Sequence, residues 1–206
     1  MSKLNKMSFI KSYWNYYLDL EDQFISTKRF VEFDVSNFTT YSIEYLKLLQ
    51  AVCSEIDVVA KILSEEYDIS FKNEKYISIK KWGFYLQQAY PNIGKITVSF
   101  NMDYLLSPWK NWCYERYYDT KNRLQYRLVK GTKVSFWWTS YNKVKHERTS
   151  HYKYGKSNYI LANQENIINA IAALFILETL YLCSKNEDMD IVYDKSKLFK
   201  IEESQI

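Results

Sequence analysis

Residues Trp137 to Arg148 gather the side chains best able to do chemistry: Trp137-Trp138-Thr139-Ser140-Tyr141-Asn142-Lys143-Val144-Lys145-His146-Glu147-Arg148. His146 is one of two histidines in the chain, and an imidazole exchanges protons near neutral pH. Wound at about 100° per residue, the stretch puts Trp138, Tyr141, Asn142 and Lys145 on one helix face, with His146 and Arg148 at its two borders. Asn142 and His146 are four apart, so the amide oxygen can fix the imidazole's orientation and tautomer. The second ring nitrogen is then free to take or give a proton. With RNA as the ligand, His146 would deprotonate a 2′-hydroxyl for attack on the adjacent phosphorus. Lys145 or Arg148 would hold the non-bridging oxygens as charge builds there. That route needs no metal, and the block carries no carboxylate cluster. The plainer reading is a helix histidine bonded to a neighbour, lysines on a solvated surface, and tryptophans packed on the next helix. Trp137 is assigned to such packing.

Charge points to the same block. Between Lys121 and Lys156 there are ten Lys/Arg and one acid, Glu147, a net charge of +9, whereas the rest of the chain carries −5. Tyr126, Phe136, Trp137, Trp138, Tyr141, Tyr152 and Tyr154 are interleaved with those cations. Basic residues alternating with rings are the expected footprint of a nucleic-acid surface. Trp138, Tyr141, Lys143, Arg148 and Lys153 are the residues expected to contact RNA.

Composition limits the alternatives. At 206 residues the chain suits one well-buried domain, and four Gly with two Pro leave no linker. Cys53, Cys113 and Cys183 are scattered and show no metal-ligand spacing, so neither a zinc site nor another cofactor is expected. The apolar stretch Ile167–Cys183 is interrupted by Asn169, Glu178 and Thr179, and it falls short of the ~20 apolar residues that span a bilayer. No apolar signal core follows the first residues. The expectation is a reduced, cytoplasmic protein with no membrane contact.

The positioning elements follow from periodicity and caps. A first helix is predicted over Ser8 to Thr27, then an extended segment Phe30 to Asp34. Ser42 with Glu44 supplies cap chemistry for a long helix to Glu66, striped by Tyr45, Leu48, Leu49, Val52, Ile56, Val59 and Leu63. Asp57 and Lys61 form an i,i+4 pair on its opposite face. A shorter helix runs from Ile77 to Ala89, and Lys95 to Phe100 reads as half of a small hairpin. Leu105 to Tyr118 resists assignment, and Tyr126 to Val134 reads as extended or loop. The motif helix covers Phe136 to Thr149, and the last helix Asn158 to Ser184. The predicted fold is mainly α, one helical domain over residues 1–185 with a small irregular or β-hairpin insertion at about 67–134. Residues 186–206 read as a charged tail, with Asp188 to Val192 as a short strand.

Tyr141-Asn142-Lys143-Val144-Lys145-His146, placed before an Ala/Leu-rich helix, resembles the HEPN superfamily of helical toxin, phage-defence and CRISPR-associated ribonuclease domains. The family pattern is an Arg, a polar residue, a few others, then His, and Asn142 and His146 stand in register. The Ala162–Leu174 region and the helix bearing Ser54-Glu55-Ile56-Asp57 and Lys61 are similar to abortive-infection members. Tyr141 stands where the family has its Arg, so Lys145 or Arg148 would take that role. The resemblance implies a HEPN-like bundle, Glu55 as a supporting residue, and a homodimer joining two motif helices in one cleft. The apolar last helix would supply the dimer surface.

Three functions fit these residues. The first is a metal-independent endoribonuclease of toxin or phage-defence type acting through His146, Asn142 and Lys145. The second is a catalytically silent module that binds RNA or a nucleotide through the same face. The third is a protein-interaction subunit whose Tyr- and Trp-rich surface meets a protein partner.

Overall fold

The computed structural model describes residues 4–73, 76–100, 104–151, 155–185 and 193–201. Helix α1 (Lys6–Phe9) opens on Asn5, whose side chain accepts from the Ser8 N–H at 2.8 Å. It passes through a π-helical turn (Ile10–Trp14) into α2 (Asn15–Ser26). The extra residue of that turn brings Phe9, Ile10, Trp14, Tyr17, Leu20 and Phe24 onto one buried side. No strand forms at Phe30 to Asp34; that stretch is a series of bends leading into a 3-10 turn, Val35–Asn37.

Helix α3 (Ile43–Tyr67) begins at the expected cap, with the Ser42 hydroxyl accepting from the Tyr45 N–H at 3.1 Å. Its predicted stripe is buried. Helix α6 (Gln164–Ser184), capped by Asn163, is the central rod of the protein. From Ile167 to Glu178 every residue but Asn169 is buried. The two helices run parallel: Tyr41 bridges to Asn163 beside both starts, and Lys185 pairs with Glu66 at 2.7 Å beside both ends. Helix α6 is long and apolar enough to cross a membrane, but 78% of its most apolar window is buried against the rest of the chain. That packing also removes the apolar surface expected to support a homodimer, because the protein's own elements already cover it.

Helix α4 (Ile79–Ala89) packs on α3 through Trp82, whose indole N–H donates to Asp57 at 2.9 Å. Asp57 also pairs with Lys61 as predicted, yet this face of α3 is turned toward α4 and not away from the core. Helix α5 (Phe136–His146) runs antiparallel to α3: Trp138 meets Trp82 near Asp57, while Val144 packs with Leu46 near the start of α3. It ends three residues before the predicted Thr149.

The middle of the chain is built from short antiparallel strands. Strand β1 (Val98–Phe100) pairs with β2 (Tyr104–Leu106), and β3 (Tyr114–Tyr118) pairs with β4 (Leu124–Leu128) in a separate hairpin. The fold is therefore mainly helical with small antiparallel sheets. Tyr114 and Tyr126 turn their rings toward α4. Gly83 makes this approach possible, since a Cβ there would lie 2.6 Å from the Tyr114 ring. Trp82, Trp109, Trp112, Trp137 and Trp138 interlock, the closest pair (Trp109 and Trp112) with centroids 4.6 Å apart, and join the insertion to the helices.

The C-terminal residues that are described do not form a solvated tail. Strand β5 (Phe199–Lys200) pairs with β1, and Phe199 is buried against Phe100 and Phe175. Glu21 of α2, itself buried, accepts from the Lys197 N–H at 2.8 Å, from the Tyr17 hydroxyl at 2.6 Å and from the Ser196 hydroxyl. The strand predicted at Asp188 to Val192 lies outside the described residues, as do Tyr152, Lys153 and Tyr154.

Candidate functional site

Helix α5 sorts its residues into a packed side and an open one. Trp137, Trp138, Tyr141 and Val144 form the packed side, with Trp138 and Tyr141 each only 6% exposed. Their ring faces are taken up by neighbours: Trp138 by Trp82, Trp112 and Trp137, and Tyr141 by Trp138 and the Lys145 ammonium. Neither therefore presents a free ring face to a stacked base, contrary to the expectation from their place on the helical wheel, although the small exposed part of Trp138 lines the histidine pocket. An aromatic stripe facing the densest part of the core gains more from burial than from solvent contact.

The open side is the polar row Thr139, Asn142, Lys143 and His146, at i, i+3, i+4 and i+7. Together with Ile79 of α4 and Val134 this row lines a pocket of about 290 Å³. His146 is exposed to solvent, and Asn142 and Lys143 are half-buried beside it. The Asn142 amide nitrogen donates to the Trp138 carbonyl at 3.1 Å, one turn back in the same helix. Asn142 therefore does not hold the imidazole as its spacing suggested. Its Oδ1 accepts no hydrogen bond among the described residues and faces no competitor for an incoming hydroxyl.

Lys145 points elsewhere. Its ammonium donates to the Tyr141 hydroxyl at 3.1 Å and lies over that ring, 5.3 Å from the centroid. The bond to Tyr141, then the nearby Asp57 and Cys53, raise its pKa. Lys145 thus belongs to the α3 side of the helix and does not line the histidine pocket. Lys143 is the cation that does. Arg148 is exposed, and its Nε donates to the Val144 carbonyl at 3.4 Å, while Asn158 donates to the Glu147 carbonyl at 2.7 Å. Both side chains satisfy carbonyls that the end of α5 would otherwise leave open. Lys143, Lys145 and His146 crowd the last turn, where positive charge complements the negative end of the helix.

Glu55 also faces away from this pocket. It lies near Tyr13 and Glu178 on the other side of α3, and burial raises its pKa. Burial also pushes the Cys53 thiol well up, which leaves it protonated and inert. Thr139, Glu147, Ile79 and Val134 were not expected at the site. Thr139 was legible as a member of the polar row and Glu147 as the residue that follows His146, whereas Ile79 and Val134 join the site only through tertiary packing. A larger cavity of about 540 Å³, lined by Arg29, Phe30, Lys47 and Leu48, lies against the first turn of α3. It contains no histidine, and Glu44 already neutralises Lys47 there, so the smaller α5 pocket is the stronger chemical candidate.

Fold and site together define a mainly helical protein carrying a solvent-open histidine in a pocket of mixed apolar and polar lining that includes Lys143 and Glu147. Compared with protein-family profiles, curated proteins and solved structures, the chain matches none.

Proposed function

We propose that this protein is a metal-independent endoribonuclease whose catalytic base is His146. One observation carries the reading: in a strongly basic stretch of chain, the imidazole is exposed and shares a pocket with Asn142 and Lys143. In the proposed step His146 removes the proton of an RNA 2′-hydroxyl as that oxygen bonds to the adjacent phosphorus. The bond from phosphorus to the 5′-oxygen breaks, and the departing oxygen takes a proton from water or from the Lys143 ammonium. The products are a 2′,3′-cyclic phosphate and a 5′-hydroxyl. Asn142 Oδ1 is suited to orient the ribose, and Lys143, in place of Lys145, to hold the non-bridging oxygens. The resemblance of Tyr141–His146 to the HEPN motif belongs to this proposal, as does a role in toxin action or phage defence.

Incubation with mixed RNA in EDTA tests the reading. Wild type is expected to generate 2′,3′-cyclic phosphate ends, and His146→Ala to lose about 10²–10⁴-fold in rate, the usual contribution of a positioned general base. Undiminished cleavage by His146→Ala would remove the assignment. A second reading, RNA binding without cleavage, is favoured by one feature: Tyr141 and Lys145 engage each other, leaving Lys143 as the cation of the helix that lines the pocket. It predicts salt-sensitive binding and no product.

A further inference from the structure

A strip of exposed lysines leaves the pocket along the insertion. Ile79 and Val134, which form its wall, are each followed or preceded in sequence by an exposed lysine, Lys80 and Lys133. Lys130 is exposed on the same connection between β4 and α5, and Lys121 in the turn at the tip of the β3–β4 hairpin. The arginines of this hairpin are engaged: Arg123 pairs with Asp119, Arg127 pairs with Glu115, and Arg116 lies over the Phe84 ring. By contrast, Lys80, Lys121, Lys130 and Lys133 have no acidic partner among the described residues. The connection that bears them is tied down, with the Lys133 N–H donating to the Asn111 carbonyl at 3.1 Å and the Thr132 hydroxyl to the Cys113 carbonyl at 3.1 Å. Exposed lysines without acidic partners give this side of the protein a positive field that attracts a polyanion. Exposed rings accompany the strip: Tyr76, 95% exposed, stands three residues before Ile79, and Tyr118, 68% exposed, stands near the hairpin tip.

We infer that this strip is the binding track for a single-stranded RNA whose cleaved linkage enters the His146 pocket. The inference rests on the reading of that pocket given above. Single-stranded RNA fits better than duplex on two counts. Attack by a 2′-hydroxyl in line with the departing oxygen needs a backbone free of A-form constraint. Exposed tyrosines can stack only on bases that have left a helix.

The test uses His146→Ala as parent and a fluorescent single strand of about twelve nucleotides, a length within the range such tracks cover. Binding is followed by anisotropy over a salt series, for the parent and for the same protein with Lys80→Gln, Lys130→Gln and Lys133→Gln. Loss of three phosphate contacts should lower the slope of log affinity against log salt by about 2, at about 0.7 per contact. Unchanged melting of the variant would show that the loss is one of contacts and not of fold. In the wild-type background the three substitutions should slow cleavage of the long strand by a larger factor than cleavage of a dinucleotide, which can meet only the lysines beside the pocket. An unaltered slope, absent RNA binding, or tighter binding of the matching duplex would overturn the track. A reduced slope without any His146-dependent product would leave the track standing and remove the catalytic reading alone. Cleavage that persists with an unaltered slope would do the reverse.

Discussion

Replacing Glu178 by Leu should make the protein more stable, and increasingly so as pH rises. Glu178 lies in the middle of α6 with 0% exposure, and neither carboxyl oxygen has a hydrogen-bond partner. Burial first, and then the charge of Glu55, raise its pKa well above the ordinary 4.5. The folded state therefore keeps the proton to higher pH than the unfolded chain does. Below the ordinary carboxyl range both states are protonated and the linkage penalty vanishes. As pH rises through and beyond that range the unfolded state gains by ionising, so wild-type stability falls until the folded pKa is passed. What remains at low pH is the cost of burying a carboxyl group without a partner, about 1–3 kcal/mol. Leu fills similar space and carries neither penalty. At pH 5 the variant should already gain the roughly 1–3 kcal/mol of the unpartnered carboxyl, and at pH 8 it should gain more than at pH 5. For a chain of this size each kcal/mol raises Tm by about 2–4 °C, so the variant should melt above wild type at both pH values and by the wider margin at pH 8. Thermal melts followed by circular dichroism at the two pH values read the effect directly. A Glu178→Leu protein that melts below wild type at both pH values would refute the reasoning, since it would mean that the carboxyl group makes favourable contacts.

Three further substitutions probe the fold and the site. Gly83→Ala should cost about 1–3 kcal/mol of stability in urea unfolding, because the new methyl meets the Tyr114 ring between α4 and the hairpin. Lys143→Gln should lower RNA cleavage by about tenfold or more, whereas Lys145→Gln should change it by about twofold or less, since only Lys143 lines the pocket. Equal losses in steady-state rates would restore Lys145 to the site.

Helices were legible wherever a stripe and a cap coincided. Ser42 and the apolar row from Tyr45 to Leu63 locate α3 to within a residue, and the breaker at Pro91 bounds α4. The hairpin was not legible, because Tyr114-Glu115-Arg116-Tyr117-Tyr118 mixes rings with charges and has no clean alternation. Its inward residues are chosen by a tolerant neighbour, Gly83, which lies some thirty residues away along the chain. The motif helix shows the same limit. Periodicity reveals which residues of α5 share a face, but the direction of that face depends on Trp82 and Trp112, contributed by other elements. Trp138 and Tyr141 thus went to the core, and the polar row ending in His146 was left to line the pocket.

The clasp at Glu21 gives assembly a definite order. A chain made as far as Ser184 already contains every helix among the described residues, yet the Glu21 carboxylate then has Tyr17 but lacks Ser196 and the Lys197 amide. Keeping that carboxylate hydrated holds the Tyr17 region ajar, and Phe175 and Phe100 lack the Phe199 ring that covers them. Ribosomal synthesis proceeds from the N-terminus, so this seam closes only after α6 has been made. Helix α2 thus waits for a segment made after α6, and Glu21 has its full set of partners only once strand β5 is docked beside β1.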